Sequence, residues 1–128
     1  MKKFCLCIFA LLFLVSGVWG QSTNQPAPKT FSVVIGGGDG FGKRYVTLVW
    51  TDPSKWVNPD INGQGFKISG IVKNTPFNQY VYYMFFPRNQ NVYSVTLLLP
   101  PNRYVFSAYA VSSGFPDSNA KNVAFTVP

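Results

Sequence analysis

Gly36 to Arg44 reads GGGDGFGKR, a stretch that sets backbone freedom directly beside charge. Glycines let N–H groups and carbonyls approach a ligand closely, so such a loop can cradle a phosphate or shape a metal site. Neither pattern is met here. A phosphate loop needs Lys followed by Ser or Thr at the start of a helix, whereas Lys43 is followed by Arg44 and opens a run of strand character. A calcium-binding glycine repeat puts Asp at its sixth position and recurs; Asp39 is out of place and the stretch occurs once. The plainer reading is a hairpin loop whose glycines supply positive φ.

A second stretch, NPDINGQG, alternates Asn58, Asp60 and Asn62 before Gly63. It resembles the opening of a calcium loop, which needs twelve positions with an acid at the last. Ser69 stands at that position, and one carboxylate is little charge for a dication, so a plain turn is the favoured reading. Elsewhere the reactive inventory is thin. The chain has no His and no Glu, and its two cysteines, Cys5 and Cys7, sit at the extreme N-terminus. An imidazole base, a thiolate nucleophile and a soft metal site are therefore missing from the rest of the chain. Two-carboxylate hydrolysis needs paired acids, and the one close pair, Asp52 and Asp60, lies in a single Pro-containing segment. Neither catalysis nor a cofactor is expected.

The first 20 residues account for the cysteines. Lys2 and Lys3 precede the apolar run FCLCIFALLFLV, and small residues follow in SGVWG. This is the pattern of a secretory signal peptide, cleaved after Gly20 or Gly17. The run is short for a membrane span, which needs about 20 apolar residues. A secreted product of 108 residues follows, enough for one domain, with no disulfide to staple it. Losing Lys2 and Lys3 lowers the net charge from +7 to +5. Residues 21–29, QSTNQPAPK, read as a flexible tail.

The remaining 99 residues must position whatever binds. Seven runs rich in Val, Ile, Tyr, Phe and Thr succeed one another: TFSVVI, RYVTLVW, GFKISGIV, QYVYYMFF, NVYSVTLLL, RYVFSAYAV and KNVAFTV. Gly, Pro, Asn or Asp closes each, and no window keeps a helical period. The spacing predicts an all-β, seven-stranded antiparallel β-sandwich. Val46, Leu48 and Trp50 share one face of the second run, and Tyr104, Phe106, Ala108 and Ala110 share one face of the sixth. These faces are the expected core.

The second, fifth and sixth runs resemble a fibronectin type III domain. That family carries a strand-B tryptophan followed by a proline turn, matched by Trp50 and Pro53. Its later pattern Y-x-L-x-x-L-x-P-x-x-x-Y is matched in spacing by Tyr93, Val95, Leu98, Pro100 and Tyr104, with Val95 for the first leucine. The resemblance implies a corner tyrosine whose ring packs inside while its hydroxyl bonds back to the backbone. It covers roughly residues 28 to 128. The segment from Thr51 to Gln64 is long for the family, and Phe66 replaces its usual tyrosine. A rival resemblance is to the carboxypeptidase regulatory-like domain, through ISGIVKNTPF and LLLPPNRYVFSAYAVSSGF; there Asn102 replaces a glycine and Phe115 a tyrosine. Both are small β-sandwiches, and neither implies catalysis.

In a seven-strand sandwich successive loops alternate between two poles. Lys43, Arg44, Lys73 and Arg103 then share one pole with Asp39, while Lys55, Arg88 and Lys121 balance Asp52, Asp60 and Asp117 at the other. The basic pole is a candidate site for an anionic glycan or lipid head group; the alternative is a solvated surface that aids solubility. The neutral pole carries Trp56 and Phe115, candidate anchors for a protein partner or a sugar, unless Trp56 folds over the sandwich end as a lid. The fourth run, Gln79 to Phe86, is apolar on both faces at a sheet edge, which invites homo-association or strand addition. The expected role is a secreted, non-catalytic adhesion or interaction module for an extracellular protein. Carbohydrate or polyanion binding and structural self-association are the alternatives. Neither nucleic acid nor a membrane span is expected.

Overall fold

The computed structural model describes residues 24–57, 63–73, 76–88 and 92–128. The expected signal peptide and the Asn58–Asn62 segment lie outside the described residues. Seven strands follow in order: β1 (Phe31–Gly38), β2 (Arg44–Thr51), β3 (Gly65–Val72), β4 (Gln79–Pro87), β5 (Val92–Leu99), β6 (Asn102–Val111) and β7 (Lys121–Val127). Every pairing is antiparallel, and the strands form a three-stranded sheet, β1-β2-β5, and a four-stranded sheet, β4-β3-β6-β7. This is the sandwich of immunoglobulin and fibronectin type III kind that the sequence predicts.

The core follows the strand alternation. Val46, Leu48 and Trp50 point inward from β2, and Tyr104, Phe106, Ala108 and Ala110 from β6; all seven are buried. Trp50 is the hub. Tyr93 stacks on it at 5.9 Å, and Phe86, Phe66 and Phe31 meet it edge-on at 5.0, 6.1 and 6.4 Å. Edge and offset contacts of this kind add to the burial of large rings. On β3, Gly70 lets the Phe106 ring close in: a Cβ at that position would stand 2.3 Å from the ring. The corner tyrosine is in place, with the Tyr104 hydroxyl donating to the Pro100 carbonyl at 2.6 Å.

Three expectations are corrected. First, β1 runs on to Gly38 rather than stopping at Ile35, with irregular pairing between Ile35 and Gly38. Glycines 36 to 38 therefore lie in the strand, and the loop shrinks to Asp39–Lys43. Second, Leu98, which the resemblance sets in a packing motif, is 39% exposed while Leu99 is buried. The β2–β5 register is unbroken from Arg44↔Leu99 to Thr51↔Val92, so alternation sends Leu97 and Leu99 inward and Leu98 out.

Third, the part of the N-terminal tail that is described is docked rather than flexible. Gln25 and Pro28 are buried. The Gln25 Oε1 accepts the Val57 N–H at 3.1 Å, and the Gln25 N–H donates to the Pro116 carbonyl at 3.4 Å. Lys29 donates its N–H to the Asp52 carbonyl, and Asn24 donates its Nδ2 to the Asp117 carbonyl. The polar composition that suggested a tail instead supplies partners for loop groups at this end of the sandwich.

Candidate functional site

The outward face of the four-stranded sheet gathers aromatic and polar side chains in rows. β4 carries a bulge: Gly70 pairs Tyr82 and Ile71 pairs Tyr80, so Val81 is the extra residue. The bulge shifts the alternation by one. Tyr80 and Tyr83, three apart, consequently line one surface together with Lys67, Ser69, Tyr109 and Asp117. Across the sheet Lys67 lies between Phe85 and Tyr109, and Ser69 between Tyr83 and Ser107. The result is a groove of about 500 Å³ with tyrosine walls and a polar floor. Tyr80 is 71% and Tyr83 63% exposed.

The floor is held by one ion pair. Lys67 Nζ donates to Asp117 Oδ2 at 2.8 Å, which lifts the lysine above its ordinary pKa. Both groups are partly exposed, so the pair fixes position more than it stabilises the fold. Beyond the groove, the Ser107 hydroxyl donates to Asn122 Oδ1 at 2.7 Å. β4 itself is a sheet edge, and its Val81, Met84 and Phe85 are exposed as well.

The residues singled out from sequence are arranged differently. Trp56 is half-buried, its ring edge-on to Phe66 at 5.5 Å and covered by the Arg88 guanidinium at 4.9 Å. It closes the end of the core, the lid arrangement. Arg88 is tethered in turn by Gln64 Oε1. Trp56 also borders a cleft of about 650 Å³ with Lys29, Asp52, Lys55 and Arg88. Lys29 thus joins the end expected to be neutral, Asp117 is taken up by Lys67, and Asp52 accepts from the Tyr93 hydroxyl at 2.9 Å. Phe115 is half-buried in the turn that opens the β6–β7 connection, where its N–H donates to the Ser112 carbonyl.

At the other end, Lys73 and Arg103 are neighbours: the Lys73 N–H donates to the Arg103 carbonyl at 2.8 Å, and both line a shallow pocket with Tyr104 and Phe125. Lys43 is exposed on the β1–β2 loop. Arg44 is half-buried, and its guanidinium donates to the Gly36 carbonyl at 3.2 Å, which closes the irregular end of β1. In the loop, Asp39 Oδ1 accepts the N–H groups of Phe41 and Lys43 at 2.7 and 3.0 Å. These bonds hold its carboxyl below the usual carboxylate value. The aspartate is a brace for the turn.

The tyrosine groove was not legible in the sequence. Strict alternation places Tyr80 and Tyr83 on opposite faces, and the bulge that unites them has no marker within β4. Among the described residues no group of three or more His, Cys, Asp or Glu could hold a metal, and no helix is long and apolar enough to cross a membrane.

No family model matches the chain, and no curated protein matches it. Among solved structures the chain is similar to the fibronectin type-III domain of human fibronectin type III domain containing protein 3, solved in solution. The two are 20% identical, the match covers 83% of this chain and 91% of that one, and the TM-score is 0.46. The chain is fibronectin type III-like in fold, as the strand order itself states.

Proposed function

We propose that the chain is a secreted, non-catalytic interaction module that binds a protein partner across the outward face of β4, β3 and β6. The observation that carries this reading is the tyrosine groove, with Tyr80, Tyr83 and Tyr109 around Lys67 and Ser69. Tyrosine gives large, rigid, amphipathic contact area at little cost in rotamer freedom and is enriched at protein interfaces, and antibody paratopes combine it with serine, which gives adaptable hydrogen bonds. The described aspartates are occupied in turn-bracing, in a tyrosine hydrogen bond and in an ion pair, which supports a binding role over catalysis. The leader-like N-terminus supports a site of action outside the cell.

A photo-crosslinking amino acid at Tyr83 tests the reading, with the same group at Ser94 on the other sheet as control. The expected result is a discrete protein adduct from position 83 that disappears when Tyr80→Ala and Tyr109→Ala are added. Adducts of equal yield from both positions, or none from position 83, overturn it.

A second reading has its own observation. β4 is a sheet edge with exposed apolar groups on both faces, the arrangement that pairs with another copy. Sedimentation over a range of concentrations tests it. Growth in size that Val81→Lys abolishes supports self-association, and a monomer at every concentration rules it out.

A further inference from the structure

The short loop between β1 and β2 is built to hold a phenylalanine in water. Phe41 stands between Gly40 and Gly42, whose φ values are +88° and +92°. Nothing lies within 4 Å of a Cβ placed at either glycine, so backbone conformation and not crowding requires them. Asp39 closes the loop from inside by accepting the N–H groups of Phe41 and Lys43, while its own N–H donates to the Lys43 carbonyl at 2.9 Å. A free glycine loop would let an aromatic ring fold back onto apolar surface. This one is braced, and Phe41 remains 90% exposed.

A second phenylalanine shares that end of the sandwich. The β1–β2, β3–β4 and β5–β6 connections all leave from it: Arg44 pairs Leu99, Val72 pairs Tyr104, and the Lys73 N–H reaches the Arg103 carbonyl. Phe77, on the β3–β4 loop, is 83% exposed. The two rings belong to loops on different sheets, whose packed faces are about 10 Å apart. The same end carries the exposed cations Lys43, Lys73 and Arg103. Asp39 is the one described acid at this end, and two N–H groups already bind its carboxylate.

We infer that this end of the sandwich docks on a negatively charged lipid surface, with Phe41 and Phe77 entering the boundary between headgroups and acyl chains and Lys43, Lys73 and Arg103 meeting the phosphates. Charge complementarity selects the surface, and the aromatic tips select lipid over other polyanions. A sulfated glycan is met by cations alone and gives no reason to hold two phenylalanines out. A folded protein is met by a continuous apolar patch, whereas these rings stand on separate loops at an end that also carries exposed charge. Reversible interfacial binding takes two weak signals together, apolar insertion and attraction to anionic lipid. This inference is independent of the tyrosine groove, which lies on the side of the sandwich.

Cosedimentation of the purified protein with vesicles tests it, using phosphatidylcholine alone and phosphatidylcholine mixed with phosphatidylserine. Binding to the mixed vesicles only is expected. Phe41→Ala and Phe77→Ala should each weaken it by roughly ten- to a hundredfold, the loss for removing a buried phenylalanine side chain. The triple change Lys43→Ala, Lys73→Ala, Arg103→Ala should abolish it. Both rings are on the surface, so these variants should keep the parent's melting temperature. Phe41→Leu should retain most of the binding, and the emission of Phe41→Trp should shift to the blue on mixed vesicles. Tyr83→Ala should leave vesicle binding unchanged, which separates this result from the fate of the groove. Failure to bind mixed vesicles overturns the inference. So does binding that responds to the cations but not to Phe41 or Phe77; with salt-sensitive retention on heparin, that outcome assigns the end to an anionic glycan.

Discussion

The Tyr104 hydroxyl donates to the carbonyl of Pro100, four residues earlier, at 2.6 Å. That single bond ties the turn between the two sheets to the ring packed beneath it, which stacks on Phe125 at 5.5 Å.

Tyr104→Phe keeps the ring and removes the bond. A loss of about 0.5–1.5 kcal/mol is expected, read as a lower denaturant midpoint at unchanged slope. The same residue sets an alkaline limit. Burial holds Tyr104 and Tyr82 above the ordinary phenol value of 10.0 in the folded state. The unfolded chain therefore ionises first. Stability from these groups is intact below that value and is lost as pH rises through the folded-state values. Unfolding curves recorded upward from neutral pH should show this decline, and Tyr104→Phe should flatten part of it. An identical decline in the variant would assign the effect elsewhere.

Gly70 sits where a side chain has no room. Gly70→Ala would drive a methyl group to 2.3 Å from the Phe106 ring, at the centre of the sandwich. Overpacking of this kind typically costs about 1–3 kcal/mol. The paired change Gly70→Ala with Phe106→Leu should recover part of the loss, because the smaller side chain vacates the contact. Thermal melting of the parent, the two single variants Gly70→Ala and Phe106→Leu, and the double variant reads the effect. Simple additivity would show that the strain lies in the β3 backbone and not in the ring.

The sandwich was legible because its signals are local and repeated. Val46, Leu48 and Trp50 stand at every second position of one strand, Gly, Pro, Asn or Asp closes each run, and Tyr104 stands at a fixed distance from Pro100. Period two is enough to place Val46, Leu48, Trp50 and Tyr104 in the core. The surface was less legible for the same reason. One unpaired residue, Val81, breaks the period on β4 and brings Tyr80 beside Tyr83, and nothing in QYVYYMFF marks which residue is extra. Gln25 was missed because its role is set by loop groups far along the chain, Val57 and Pro116, that need partners. Trp56 was visible as an aromatic on a long loop, but whether it faces water or Phe66 depends on how that loop folds back.

Gln25 tests the docked tail. Its amide oxygen is the acceptor for the Val57 N–H, and its side chain is buried beside the loops. Gln25→Ala should destabilise the fold by about 1–3 kcal/mol, since a half-buried donor is left without its acceptor and a buried side chain is removed. Asn24→Ala, at an exposed neighbour, should stay within about 0.5 kcal/mol of the parent. Guanidinium unfolding of both variants gives the comparison. Equal midpoints for the two would mean that the tail rests on the sandwich without supporting it.

Asp39 gives the glycine loop a pH dependence that can be followed residue by residue. Its carboxylate accepts from Phe41 first and from Lys43 second, and these bonds hold its pKa below 3.8. A depressed folded-state value means that the brace is complete at neutral pH and is lost as pH falls through that lowered value, not before. The amide resonances of Phe41 and Lys43 should therefore move together in one acid titration with a midpoint below 3.8. The core amide of Leu48 should not move over the same range. Asp39→Ala should abolish the step, and it should speed amide exchange at both positions at neutral pH. A titration midpoint at or above 3.8, or a step that survives the substitution, would show that the carboxylate does not hold the loop. Phe41 would then be exposed on a floppy turn and not presented by a braced one.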